Sequence, residues 1–241
     1  MLGIRIFTKK SLKDEAEKPF WISFADLMTA LMVMFLLVMS VALLAVTKTA
    51  SEAERAEQAR KEAIEELLTR VEQATKSDPM FEGIRVHRDR QVIDFQDKAR
   101  FDTASSQLNR DQSKLLRAFI PHVLEIADSP LGQSWLKRIV VEGFADKRGT
   151  YLFNLNLSLQ RSQRVLCVLL SPPEADEKPM SNKELQLVRQ LFLVGGYSSN
   201  SQKKVLDESR RIELRLEFRR ITEDPNATQV DELGEFGRCA I

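Results

Sequence analysis

The chain has 241 residues and nearly balanced charge, 36 Lys and Arg against 35 Asp and Glu, for a net of +1. That balance excludes a bulk electrostatic attraction to nucleic acid. Two histidines, His87 and His122, and two cysteines without a C-x-x-C pair leave almost nothing from which to build a zinc site, and no Ser-His-Asp spacing, Gly-rich phosphate loop or H-E-x-x-H run is present, so the expectation is no metal, no cofactor and no enzyme.

Residues 1–19 are short, polar and mixed in charge, a tail without a core. The next stretch, residues 20–46, is the only one long and apolar enough to cross a bilayer. At about 1.5 Å of rise per residue, roughly 20 residues span the hydrocarbon core of about 30 Å. A signal peptide would have a shorter apolar run, about 7–15 residues, and would end in a small-residue cleavage site. Here an acidic and basic stretch follows instead. Asp26 is the one acid in the span, about one and a half turns in from Phe20. An ionised Asp deep in a membrane helix costs on the order of 3 kcal/mol, so such a residue faces a partner or a wet path, and it sheds the cost by binding a proton. Thr29, one turn on, is a candidate ion-path residue, or a hydroxyl that satisfies a backbone carbonyl. Arg5, Lys9, Lys10, Lys13 and Lys18 precede the span, and Lys48 is the one base close behind it. The positive-inside tendency therefore places the N-terminus in the cytoplasm and everything after Thr47 outside the inner membrane, with Trp21 as an interfacial anchor.

Residues 47–79 are rich in Ala, Glu, Lys and Arg and read as a helical periplasmic linker. Ile64, Leu67, Leu68 and Val71 form one narrow apolar stripe. The stripe is enough for a two-helix contact, and the favoured reading is a solvated, semi-rigid spacer rather than a regulatory plug.

A globular domain is expected over residues 80–221. Ile84–Val86 and Val92–Phe95 read as strands, Phe101–Leu108 as a loop, and Arg110–Ala127 as a helix that Pro121 should kink or shorten. Ile139–Phe144 is a strand, Asn154–Leu170 a helix, Ser171–Lys178 a break, Asn182–Leu191 a helix and Phe192–Val194 a strand. The last strand alternates Ile212, Leu214, Leu216 and Phe218 with Glu213, Arg215 and Glu217, one core face and one wet face. Strands interleaved with helices predict an α/β fold, an α+β sandwich with a mixed sheet. Residues 222–241 read as a mobile tail. Cys167 and Cys239 would both lie on the oxidising side, where a disulfide is allowed but not demanded. The favoured reading is a buried core thiol and a loose tail thiol.

Two stretches resemble one known arrangement. FADLMTALMVMFLLV is similar to the transmembrane signature of the B subunits of ion-driven bacterial stators, the MotB family, with Phe24 where many flagellar relatives have Tyr. VEGFADKRGTYLFNLNLSLQRSQRV, residues 141–165, resembles the peptidoglycan-binding motif of OmpA-like domains, with Gly143, Asp146, Asn154, Leu157, Ser158 and Arg161 at the motif positions. Phe144 and Ala145 depart from that family's His-Thr. SRRIELRL, residues 209–216, is similar to its closing strand. Chain length and the brief linker most resemble the ZorB family, the stator-like subunits of Zorya anti-phage systems.

The resemblance implies that Asp26 carries the ion, that Asp146, Phe153, Asn154, Leu157 and Arg161 bind peptidoglycan, and that two B chains sit within about five copies of a multi-span A subunit of the ZorA or MotA type. It implies a single-pass B subunit of a peptidoglycan-anchored, ion-driven inner-membrane rotary motor in anti-phage defence, with the proton as the expected ion. A flagellar stator and a passive wall tether are the alternatives. Diaminopimelate in stem peptides offers an ammonium for Asp146 and a carboxylate that the Arg161 guanidinium can grip as a fork.

Overall fold

The computed structural model describes residues 13–173, 177–224, 237 and 239, with residues 13–20 by backbone alone. The expected tail over residues 222–241 and the first part of the N-terminal tail thus lie largely outside the described residues. The chain divides into two compact units between Ala56 and Glu57.

In the first unit the described backbone is a single helix, part of α1 (Lys13–Ala74). Every residue from 21 to 50 is exposed, as an apolar helix must be if lipid or another chain is to cover it. Thr29 Oγ1 donates to the Asp26 carbonyl at 2.8 Å, and Ser40 Oγ to that of Leu36 at 2.7 Å. Both hydroxyls are thereby satisfied on their own helix, which suits an apolar surround.

The second unit is built on a five-stranded mixed sheet. Its strands are β1 (Arg85–His87), β2 (Val92–Asp94), β3 (Leu136–Gly143), β4 (Phe192–Gly196) and β5 (Ile212–Phe218), in the order β1-β2-β5-β3-β4. Only β3 and β4 run parallel, and their crossover contains α4 (Tyr151–Leu170) and α5 (Asn182–Leu191). The other helices are α2 (Arg110–Asp128) and α3 (Pro130–Trp135), a short helix the sequence pattern does not announce. A capping box at Asn109 and Gln112 starts α2, which then runs through Pro121 to Asp128. The proline should cost about 3 kcal/mol, but Phe119, Ile120, Val123 and Leu124 flank it in the core and hold the helix in place.

The stripe on residues 57–74 is not a solvated spacer. Ile64, Leu67, Leu68 and Val71 are buried, and three of them join the same core as Phe95, Phe119, Ile139 and Leu214. Arg60 Nε donates to the Arg219 carbonyl at 2.8 Å, and Arg88 bridges Glu65 and Glu72 at 2.7 Å each. The stripe is narrow because only one side of this helix segment meets the domain.

The polar face of β5 is also drier than alternation suggests. Glu213 and its register partner Glu142 on β3 are both fully buried. Like charges directly opposite would repel. Here Arg215 Nε binds Glu142 at 2.5 Å, while Arg211 Nε binds Glu213 at 2.7 Å and Arg90 approaches it at 3.2 Å. Each carboxylate therefore carries its own guanidinium.

Cys167 on α4 and Cys239 are joined in a disulfide, with Cα atoms 5.7 Å apart. This departs from the favoured reading of two free thiols, since Cys239 is held against α4 rather than lying loose.

Candidate functional site

Close packing of α4 on the sheet creates the site. Gly143 on β3 and Gly196 on β4 are register partners. A Cβ at Gly143 would collide with the Ser158 carbonyl, and one at Gly196 would lie 2.8 Å from the Leu159 nitrogen. Glycine at both positions lets the helix backbone rest on the strand ends. Ser158 Oγ then accepts from the Ser198 amide at 2.9 Å. Thr150 caps α4 by accepting from the Phe153 amide at 3.4 Å.

The loop from β3 to α4 and the first turns of α4 enclose a cavity of about 210 Å³. Asp146, Phe153, Asn154, Leu157 and Arg161 all line it. Asn154 Nδ2 donates to the Asp146 carbonyl at 3.1 Å and so fastens the loop to the helix. Phe153 is half exposed at the mouth.

Arg161 is fully buried, and its guanidinium lies 5.0 Å over the Phe101 ring. Its Nε, Nη1 and Nη2 donate to the carbonyls of Ser105, Phe144 and Asp102 at 2.9, 2.7 and 3.0 Å. Three of its five N–H donors thus hold the loops that wall the cavity, leaving two for anything else. Burial, with the Arg210 charge adding to it, pulls its pKa down to about 10, so it remains a cation at neutral pH. A fork presented freely to a ligand is not the arrangement found.

Two residues without an assigned role in the sequence complete the site. Arg148 reaches the Asp146 carboxylate through Nη2 at 2.5 Å and Nε at 3.1 Å, and its amide donates to Oδ1 at 3.0 Å. Arg210 Nη1 lies 3.3 Å from the same carboxylate. The Arg148 side-chain bond, against the opposing effect of burial and with further help from the Arg148 amide and Arg210, holds Asp146 at about 2. Two guanidinium groups therefore hold one carboxylate, Arg161 lines the same cavity, and the cavity carries net positive charge. Arg148, half exposed and steadied by Thr103 Oγ1 at 3.1 Å, is the cation a ligand would meet first. The signal for Arg148 was its place two residues after the motif acid; that for Arg210 was the Arg pair opening SRRIELRL.

Phe144 and Ala145, which replace the His-Thr of the OmpA-like pattern, are buried. Phe144 stacks on Tyr197 with ring centroids 5.4 Å apart and lies 4.2 Å beneath the Arg211 guanidinium. The motif's His position is thus packing in this chain. Asp26 and Thr29 belong to the other unit, and their only described mutual contact is the hydroxyl-to-carbonyl bond above. Among the described residues no cluster of His, Cys, Asp and Glu could hold a metal ion.

Comparison with known proteins bears on both units. A family model described as membrane MotB of the proton-channel complex MotA/MotB matches residues 8–55. The Zorya protein ZorB of Escherichia coli is 44% identical over 218 residues, covering 90% of this chain and 88% of that one. Among solved structures, a putative MotB-like protein from Desulfovibrio vulgaris is 18% identical and covers 67% of this chain and 96% of its own, with a TM-score of 0.39. The OmpA-like domain of FopA1 from Francisella tularensis is 15% identical, with 54% and 75% covered and a TM-score of 0.35.

Proposed function

The chain belongs to the ZorB family, and from that premise we propose that it is the B subunit of a wall-anchored, ion-driven inner-membrane motor in anti-phage defence. The observation that carries the reading is Asp26, the one acid in an apolar helix whose described residues from 21 to 50 are all exposed. A carboxylate so placed needs company from another chain, and a multi-span A subunit of the MotA or ZorA type would supply it. Two B chains within five A chains is the arrangement the resemblance suggests.

The N-terminus faces the cytoplasm and the second unit the periplasm. An ion, a proton in this reading, neutralises Asp26 and alters which partner surface the helix prefers. The membrane potential contributes about 2.3 kcal/mol per charge per 100 mV. The cost of an ionised Asp in the bilayer is about 3 kcal/mol, so the two are comparable and one protonation can bias a conformational state. Thr29, its hydroxyl held by the Asp26 carbonyl, shapes the helix beside the path rather than offering a free ligand.

Outside, the cavity around Asp146 binds peptidoglycan stem peptides and holds the subunit still while its partner ring turns. Phe153 and Leu157 contact the aliphatic part of the peptide. Arg148 and Arg210 donate to its carboxylate, and Asp146 takes an ammonium once Arg148 yields to the ligand. Asn154 and Arg161 keep the walls in place.

Expression of Asp26→Asn beside its partner genes tests the motor. Loss of phage resistance and of ion flux, with normal membrane abundance, is expected; full resistance would reduce the chain to a passive tether. For the wall, retention of the full chain on purified sacculi should fall in Arg148→Ala and Asp146→Asn, and equal retention would remove the anchoring role.

A further inference from the structure

A second cavity, of about 270 Å³, shares no lining residue with the Asp146 pocket. The two are separated by a wall in which the Phe101 amide donates to the Arg210 carbonyl at 2.9 Å. Arg210 lines the first cavity; its neighbour Arg211, with Arg100 on the facing segment, lines the second.

The floor is already satisfied. Asp94, 1% exposed, accepts from the Gln96 amide at 2.8 Å, from Gln96 Nε2 at 2.7 Å and from Lys203 Nζ at 3.3 Å. Gln96 reaches back in this way because its backbone is left-handed, at φ +54°. That conformation is uncommon outside glycine, and the two bonds to Asp94 hold it there. Arg211 is also committed, to Glu213 at 2.7 Å and to the Ser201 carbonyl at 3.2 Å.

Three charges remain uncommitted. The Arg100 Nε is buried and has no hydrogen-bond acceptor among the described residues. Asp97 and Glu208 are exposed at the rim and belong to none of the ion pairs among the described residues. The Arg100 Nε has almost no accessible surface, so an occupant would meet Arg100 at the other atoms by which it lines the cavity, and Arg100 belongs to none of the ion pairs among the described residues. The two rim carboxylates call for a cation close by. The volume lies just under the roughly 300 Å³ at which pockets for drug-sized molecules begin, so the occupant is small.

We propose that this cavity binds an amino-acid zwitterion, its carboxylate on Arg100 and its ammonium on Asp97 or Glu208. The same chemistry is offered by the free amino-acid centre of a wall stem peptide and by a free amino acid in the surrounding solution. The site is distinct from the Asp146 pocket and would stand if that pocket bound nothing.

Full-length protein in nanodiscs, titrated calorimetrically in the Asp146→Asn background, isolates the site. The probes are meso-diaminopimelate, a diaminopimelate-containing tripeptide stem and free D-alanine. Binding of any of these that weakens at least about tenfold in Arg100→Ala is expected, a loss in the range of one charge-assisted hydrogen bond. Binding of the stem alone would assign the wall as source, and binding of D-alanine as well would assign free amino acids. No Arg100-dependent binding of any probe, in a variant that melts like its parent, overturns the proposal. Because Arg100 is partly buried, the exposed pair is tested too: Asp97→Asn with Glu208→Gln should weaken the zwitterions and leave the fold intact, and unchanged affinity there would equally overturn it. Sacculus retention unchanged by Asp146→Asn, with Arg100-dependent probe binding intact, would undo the anchoring role of the first pocket alone.

Discussion

Asp26 and Asp146 are the same functional group in opposite surroundings. Asp26 sits on an exposed helix and meets no basic side chain among the described residues, whereas Asp146 is 6% exposed and bound by two arginines. The first carboxylate is offered no basic partner by the described residues of its own chain. The second is locked as an anion by the fold, so it can organise a static contact. The motor proposed above would need one of each, and the contrast suggests which can be removed without touching the other.

The largest expected effect comes from exchanging the two. Asp26→Asn should abolish phage resistance and ion flux while sacculus retention stays at the wild-type level. Asp146→Asn should lower sacculus retention and leave ion flux through the purified complex in liposomes unchanged. If Asp26→Asn also released the protein from sacculi, the two carboxylates would not be separable. Next comes Leu68→Ala, at a fully buried position on the helix segment that packs against the sheet. Truncating a buried Leu costs about 2–5 kcal/mol, which lowers the thermal midpoint by roughly 5–15 °C in a unit of this size. Leu36→Ala, on the exposed span of the same helix, should leave that midpoint unmoved. Equal midpoints for the two variants would mean that residues 57–74 are a spacer after all.

A smaller effect attends the disulfide. Cys167 and Cys239 are 72 residues apart, and closing a loop of that length constrains the unfolded chain by at most about 4 kcal/mol. Cys239→Ser should cost about 2–4 kcal/mol, and reductant should shift the wild type to the same midpoint. Electrophoretic mobility and midpoint that ignore reductant would leave both thiols free.

Much of the second unit was legible because its elements carry strong local signals. The alternation in β5 and the apolar spacing in α2 and α4 are decided within a few residues. The positions of Asp146 and Asn154 followed from a motif whose spacing is itself set by the strand-to-helix turn. What was not legible depends on partners far away in sequence. Leu68 looks like one residue of a weak stripe until the sheet that covers it is known. Glu213 looks like a solvent-facing residue until Arg90 and Arg211 converge on it. Arg161 has the chemistry of a ligand clamp, yet three distant carbonyls claim it. Pro121 shows the converse, a strong local signal overridden by the core around it.

The smallest predicted effect is the pH dependence that Asp146 gives to stability. Its folded pKa lies at about 2 against an ordinary 3.8, chiefly through the Arg148 bond. A depressed folded pKa means that the unfolded chain takes up the proton first as pH falls. The stabilisation is therefore complete above about pH 4 and is lost between there and pH 2. The shift alone corresponds to about 2 kcal/mol, and solvent around the half-exposed Arg148 reduces this to about 1–2 kcal/mol. Wild type should lose that much stability, relative to Asp146→Asn, as pH is lowered through this window, and the two curves should run parallel from pH 5 to 8. Arg148→Ala should flatten most of the difference while leaving Asp26-dependent flux intact. A wild-type curve parallel to that of Asp146→Asn down to pH 2 would mean that the carboxylate is not held by its arginines, and the contrast with Asp26 would then rest on burial alone.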